Sequence, residues 1–334
     1  MRLINQSEVL TLLPMRECLP LMEEALASLS RGDVVLPLRP VMRIPNTHDV
    51  FAMMPAYSAA LPVFGVKMIT VFPGNHGSAL DSHQGAVLLF DGKTGTLAAM
   101  LDASSITAVR TAAVSAVATK LLAREDASTL ALLGSGVQAR THLEAISLVR
   151  PLAAVRVFSL HEEHARAFAR WAGTTLGIAV EVCESAEHAV RGSDVVCTVT
   201  SSRLPVLFGD WLEPGMHVNA VGASQPDARE LDSDAVARSR IFADRRESLI
   251  HESADYLAPL REGRISERDV VAELGEVLLG KAAGRARDDE ITLFKSLGLA
   301  VEDLAAAAHV YERAMREHVG TEIALGGLRP AAGG

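Results

Sequence analysis

The chain has 334 residues, 49% hydrophobic and 22% charged, with 32 Lys+Arg against 41 Asp+Glu and a formal net charge of -9. That length suits two moderate cores, and an acidic surplus with no basic block or aromatic-basic stripe sets nucleic acid aside as a partner. Three cysteines, Cys18, Cys183 and Cys197, fit neither a CxxC knuckle nor a disulfide framework. This points to a reducing compartment. No stretch reads as a signal peptide or as a span of about 20 apolar residues, so a cytoplasmic protein with no membrane partner is expected.

In chain order, an amphipathic helix is expected from Ser7 onward. Apolar, β-branched runs at 50–54, 66–71 and 86–90, parted by Pro and Gly turns, predict a small sheet in a domain that carries the substrate. Lys67 sits inside the run 64–71, where alternation places it on one face with Ile69 and Val71. A lysine there is either a guard on an edge strand or a functional ammonium held to an anion, and the sequence supports both equally. Arg110, among small and apolar residues at 106–114, suits bidentate capture of a carboxylate; the plainer alternative is a cap on a surface turn. Arg39 and Arg43 are further candidates. Of eleven histidines only His83, before Gln84, invites attention as a proton donor, and a structural role suits it better. No HExxH or other ligand spacing implies a metal, and no GxSxG elbow implies a serine hydrolase.

Downstream, strands are expected at 129–133, 155–158, 179–182, 195–200, 217–221 and 240–243. Helices around 141–149, 162–176 and 185–191 join the first four. Three βα crossovers of this kind build a doubly wound parallel sheet. The first strand runs into Gly134-Ser135-Gly136-Val137-Gln138-Ala139, a GxGxxA turn that opens a helix. Gly134 permits the tight turn, Gly136 lets the backbone approach a pyrophosphate, and Ala139 lets the helix lie close on the strand. Free N–H groups at the helix start complete a site for the phosphates of a dinucleotide. At the end of the second strand stands Ser159, in the place of the acid that would bond ribose hydroxyls and repel a 2′-phosphate. NADP is therefore favoured over NAD, with loose cofactor choice as the alternative. Beyond the sixth strand, helices are expected around 270–279 and 299–317, the second returning to the first domain, and 326–334 reads as a frayed tail.

Four separated stretches together resemble the ornithine cyclodeaminase and mu-crystallin family: Met54-Pro-Ala-Tyr57; Ile106 to Ala113 with Ser115-Ala116; Gly134-Ser-Gly-Val-Gln138; and Thr292 to Gly298 with Val301-Glu-Asp303. The resemblance implies an α/β fold in which a Rossmann-type sheet, residues 121–297, is inserted into an α+β substrate-binding and dimerisation domain made of 1–120 and 298–330. It implies a homodimer acting on a small imino or amino acid. By the same resemblance Arg39, Lys67 and Arg110 would grip the substrate carboxylate, while Thr111, Ser135, Gly136, Gln138 and Ser296 would contact NAD(P). Gly134, Val137, Ser159, Thr198 and Val221 complete the candidate cofactor set.

The departures bear on the reaction. Ornithine cyclodeaminases have an aspartate in the turn that here reads Val221-Gly-Ala-Ser224-Gln-Pro226, and cyclodeaminase-like members have a glutamate where Ala52 stands. Without these acids, the second amino group of ornithine and the expulsion of ammonia lose their carboxylate partners. Asp227 replaces the lost acid only if the alignment is shifted. The Val221-Gly-Ala-Ser turn followed by Arg229-Glu-Leu-Asp232 instead resembles mu-crystallin and the bacterial ketimine reductases. An NAD(P)H-dependent reductase of pyrroline- or piperideine-2-carboxylate is therefore expected, with Lys67, Arg110 and Ser224 as catalytic candidates. Ornithine cyclodeaminase, an alanine dehydrogenase-like enzyme and a cofactor-binding crystallin with little turnover are the alternatives.

Overall fold

The computed structural model describes residues 1–75 and 78–327; the expected frayed tail lies outside the described residues from 328 onward. Two compact units emerge. One comprises Met1–Pro14, Arg31–Thr107 and the chain from Ala300; the other comprises Met15–Ser30 and Ala108–Leu299.

The first unit is built on a mixed sheet of eight strands. Its order is Thr321–Glu322, Arg2–Ile4, Leu97–Asp102, His83–Asp91, Val63–Val71, Val50–Ser58 and Val34–Val35, and Val41–Arg43 also pairs with Val50–Ser58. All neighbours are antiparallel except Arg2–Ile4 with Leu97–Asp102. Along Val50–Ser58 burial alternates: Val50, Ala52, Met54, Ala56 and Ser58 are buried, whereas Met53 and Tyr57 are exposed. One face is therefore covered, as period-2 side chains require. The cover is the Ala300–Glu317 helix, which packs on the three central strands. Its small side chains, Ala306, Ala307 and Ala308, are buried and let it lie close. Gly65 answers from the sheet, where a Cβ would stand 2.5 Å from the Leu88 carbonyl oxygen.

The single opening helix expected from the sequence is two. Gln6–Leu12 starts at a capping box between Asn5 and Glu8, and Met15–Arg31 follows. Pro14 separates them, because a proline forces the residue before it out of helical geometry and supplies no N–H.

The second unit is a Rossmann-type sheet of eight strands, all parallel. Its order is Glu181–Val182, Ala154–Phe158, Thr129–Leu133, Val195–Thr198, His217–Ala220, Thr292–Lys295, Arg240–Ala243 and Val270–Glu273. Strand order reverses between Thr129–Leu133 and Val195–Thr198, the switch point outside which such sheets bind ligands. All six expected strands are present, 179–182 shortened to its last two residues. Two strands escaped the sequence reading. Thr292–Lys295 inserts between the fifth and sixth, and Val270–Glu273 replaces the first half of the helix expected at 270–279. There Val270 and Val271 favour the pleated edge, and the helix starts only at Leu274, where Glu273 and Glu276 form a capping box.

Helices Val137–Ser147, Glu162–Thr175 and Ala186–Val190 fill the expected crossovers. The Ala103–Leu122 helix is the one described helix long and apolar enough by composition to cross a membrane. Its apolar window is 83% buried within the protein, so it is a core helix.

Candidate active site

The glycine turn of the parallel sheet is shaped by steric need. Gly134 has φ +114, and a Cβ there would stand 2.7 Å from the Val199 carbonyl oxygen, so only glycine fits. Gly136 is the N-cap of the Val137–Ser147 helix, in extended conformation and without a side-chain cap. Nothing lies within 4 Å of its Cβ position, and Val137 beside it is exposed. The first N–H groups of an eleven-residue helix therefore face open space, with the positive end of the helix dipole behind them. The Ser135 hydroxyl donates to the Ser159 hydroxyl at 3.0 Å, tying the ends of the first two strands together.

Among the buried oxygens of this unit that have no hydrogen-bond partner in the protein are Gln138 Oε1 and Thr111 Oγ1. Buried polar atoms are rarely left so, because the lost solvation costs about 1–3 kcal/mol each. Both residues were cofactor candidates, and both await an external partner. The open helix start, the bare Gly136 and these oxygens fit a dinucleotide. The Gln138 carbonyl meets His142 Nδ1 at 2.7 Å, and His142 Nε2 meets Ser115 Oγ at 2.9 Å. Burial pushes this imidazole down to about 4, so it is a neutral strut.

Along the carboxyl ends of the strands lies a web of buried charge. Thr198 is fully buried and its hydroxyl donates to Glu230 at 2.8 Å. The Glu230 carboxylate also accepts from Thr200 N, Thr200 Oγ1 and Gly222 N, at 2.6, 2.6 and 2.7 Å. Burial raises its pKa, and the Thr200 hydroxyl opposes that rise. Lys295 Nζ donates to the carbonyls of Ala220 and Ala223 at 3.2 and 2.6 Å and ion-pairs with Asp255 at 2.9 Å. Asp255 Oδ1 in turn accepts from Glu230 N and Leu231 N. Ser296 N bonds the Ala220 carbonyl, and Val221 N bonds that of Thr198. Ser224 follows on the same loop, half-buried. Asp227, three residues on, pairs with the exposed Arg203 at 2.6 Å.

Arg110 is a buried guanidinium in the third turn of the Ala103–Leu122 helix, not the cap of a surface turn. It lies against Gly298, φ +78, where a Cβ would come within 2.6 Å of Nη1. The Gly298 N–H and that of Leu297 are fixed by Asp244 at 2.8 and 2.6 Å. A glycine at 298 is thus the condition for Arg110 to sit where it does.

In the mixed sheet, Lys67 occupies an interior strand, flanked by Val50–Ser58 and His83–Asp91. This removes the edge-guard reading. Its side chain is 2% exposed and Nζ lies 2.8 Å from Asp303 Oδ2 and 3.3 Å from Thr107 Oγ1. Asp303 stands in the first turn of the Ala300–Glu317 helix, where the dipole favours a carboxylate. Met54 pairs with Lys67 and Ala52 with Ile69, so Ala52 is diagonal to Lys67 on the same buried face. Arg39 is half-exposed between strands, Arg43 is exposed on Val41–Arg43, and His83 is exposed with Nδ1 3.0 Å from Ser82 Oγ.

Sequence reasoning did not single out Glu230, Asp255, Lys295, Asp244 or Asp303 as site residues. A signal existed for two: Lys295, and Asp303 together with Glu302, are charged residues inside largely apolar stretches. Another group also escaped notice. Glu181, Cys183 and His188 bring ligand-type atoms within 4.8 Å of one another at the outer strand of the parallel sheet, although Glu181 also pairs with Arg156 there.

A model of the ornithine cyclodeaminase/mu-crystallin family matches residues 2–318. The chain belongs to that family. Ketimine reductase mu-crystallin of Mus musculus is 44% identical over 297 residues, which cover 88% of this chain and 91% of the relative. Delta(1)-pyrroline-2-carboxylate reductase of Thermococcus litoralis, solved with NADH and L-proline, superposes with a TM-score of 0.95 at 38% identity, over 97% of this chain and 100% of that one. An archaeal alanine dehydrogenase dimer with bound NAD gives 0.91 at 34% identity, over 97% and 99%. The family expected from four separated stretches is thus the one that residues 2–318 match. The mixed sheet and the parallel Rossmann sheet are the family's two-domain architecture.

Proposed function

We propose that this family member is an NAD(P)H-dependent reductase of cyclic ketimine carboxylates, converting pyrroline-2-carboxylate or piperideine-2-carboxylate to L-proline or L-pipecolate. The observation that carries the reading is a buried ammonium, Lys67, fixed by Asp303 on a sheet face where Ala52 offers only a methyl group. A cation so placed binds a carboxylate, while no acid stands at Ala52 or Ser224 to handle a second amino group. Likeness to the ketimine and pyrroline-2-carboxylate reductases supports it.

In this mechanism Lys67 and Arg110, with Arg39, bind the substrate carboxylate by charge, and Gly298 keeps the Arg110 guanidinium in place. The backbone of 134–138 binds the cofactor pyrophosphate, and Thr111, Gln138, Thr198, Val221 and Ser296 position the remainder. When bound, the reduced nicotinamide supplies the hydride that the imine carbon accepts. The protein's further task is to keep the imine nitrogen protonated, for which Ser224 is the candidate group. Fixed charges and a clamped carboxylate suffice for so reactive an acceptor.

We further favour NADP over NAD, since the Ser159 hydroxyl, joined to Ser135, presents no carboxylate to a 2′-phosphate. A homodimer is proposed through the open face of the mixed sheet, where Met53, Tyr57 and Phe64 are exposed and Phe64 stacks on Phe90 at 5.4 Å. Three buried cysteines, none of them in a disulfide, suit a cytoplasmic setting. The test is to incubate the protein with each imine and either NADPH or NADH, and to follow nicotinamide absorbance together with product by chromatography. Stoichiometric proline or pipecolate supports the reading. Inert imines would overturn it.

A further inference from the structure

We propose that Glu230 and Lys295 are positioning residues: together they fix the 220–224 loop, and through it the groups that meet the reacting end of the substrate and cofactor. This rests on the reductase reading. Within four residues of that loop, three peptide groups are held by buried charges of opposite sign. Lys295 takes the carbonyls of Ala220 and Ala223, and Glu230 takes the N–H of Gly222. Lys295 thereby directs its three N–H groups to two loop carbonyls and Asp255. Glu230 also accepts from the Thr198 hydroxyl and from the N–H and hydroxyl of Thr200, so one carboxylate bolts the end of the neighbouring strand to the loop. Asp255 closes the circuit by balancing Lys295 and anchoring the backbone of Glu230 and Leu231.

Such a cluster is a poor way to gain stability, because well-packed apolar residues commonly do as well or better than buried ion pairs. Its yield is geometry. Gly222 has no freedom: a Cβ there would stand 2.2 Å from the Thr200 carbonyl oxygen and 2.6 Å from Glu230 Oε1. The loop lies at the carboxyl ends of parallel strands, where open α/β sheets bind ligands, and Ser224 follows directly on the clamped Ala223 carbonyl. Among the described residues, no hydrogen bond or ion pair joins these three side chains to the 134–138 turn. Loss of the clamp should therefore damage the reacting geometry more than cofactor capture, and small displacements there are costly in rate.

The experiment is Glu230→Gln. Four donors converge on the two carboxylate oxygens, so an amide leaves at least one backbone N–H, that of Gly222 or Thr200, facing another donor. Expected are a kcat lower by about 10- to 100-fold, a Kd for NADPH within about 3-fold, and a larger isotope effect with cofactor deuterated at C4, as hydride transfer becomes the slow step. Hydrogen exchange over 198–224 should rise. Wild-type kcat and isotope effect would overturn the proposal, as would kcat and NADPH affinity falling in parallel with melting temperature, the mark of a merely structural role. If Glu230→Gln does not fold, Thr200→Val removes a single donor and should show the same pattern, smaller. If the wild type reduces neither imine, the reductase reading fails. Exchange over 198–224 in the variant then decides the loop clamp by itself, unchanged exchange overturning it.

Discussion

The two units bind charge in opposite ways. The mixed sheet buries the ion pair of Lys67 with Asp303 on a face lined by apolar side chains such as Ala52, Met54 and Ile69. The parallel sheet offers backbone N–H groups at a glycine turn and holds its loops with several buried charges. A recognition site made of side chains depends on single residues, whereas one made of backbone depends on the shape of a turn. The two should therefore fail differently when altered.

The sharpest way to break this contrast is Lys67→Met. Turnover of the imine should fall by about 1000-fold or more, with NADPH affinity kept, because the cation that binds the carboxylate is gone. Removing one partner of a buried pair should also cost about 3–5 kcal/mol, and a second change, Asp303→Leu, should return much of the stability and none of the activity. Melting curves beside kcat/KM check both halves. Unaffected turnover would remove Lys67 from the mechanism.

Next comes Gly134→Ala, which places a methyl group against the Val199 carbonyl at a positive φ. NADPH affinity should drop by about 10- to 100-fold, the equivalent of a strained turn of about 1–3 kcal/mol. Fluorescence titration reads it, and near-normal affinity would show that the turn does not carry the pyrophosphate.

The parallel-sheet unit also holds two fully buried imidazoles, His142 and His217. Burial lowers them to about 4 and about 3, with Arg285 adding to the effect on His217. In the unfolded chain both titrate at ordinary values near 6.5. The unfolded state therefore binds more protons as pH falls, so their stability is complete above about 6.5 and is lost on descent toward 4 for His142 and toward 3 for His217. At pH 5 the loss is about 2 kcal/mol for each. Denaturant unfolding at pH 7.5 and 5 checks this, and His142→Asn should flatten the slope.

The smallest effect is expected of Ser159→Asp. A carboxylate there should raise the KM for NADPH about 10-fold relative to NADH by repelling the 2′-phosphate. Equal KM values before and after would remove Ser159 from cofactor choice.

The same contrast explains what could be read in the sequence. The cofactor turn was legible because one continuous run, Leu130 to Ala139, carries strand, glycines and helix start together. The six parallel strands were legible through their β-branched runs. Thr292–Lys295 was not, because a polar Thr and a Lys bracket only two apolar residues, and its sheet neighbours come from 217–220 and 240–243. The helix expected at 270–279 overlooked that Val270, Ala272 and Glu273 pair with a strand about thirty residues earlier. Lys67 stood out locally, yet whether it guarded an edge depended on strand order, which pairing across the sheet decides. Its partner Asp303 lies more than 230 residues away. Glu230, Asp255 and Lys295 meet only after three segments have folded together, so the charge of Lys295 in an apolar stretch does not by itself announce the cluster.

The central claim is that a clamped carboxylate and a reduced cofactor suffice here, without acid-assisted deamination. It is tested most directly by measuring, in one preparation, kcat/KM for pyrroline-2-carboxylate with NADPH and the rate of ammonia release from ornithine with NAD. The account predicts rapid imine reduction and ornithine turnover at least about 1000-fold slower. Ammonia and proline formed from ornithine at a comparable rate would contradict it, and would mean that another group does the work of the acids absent at Ala52 and Ser224.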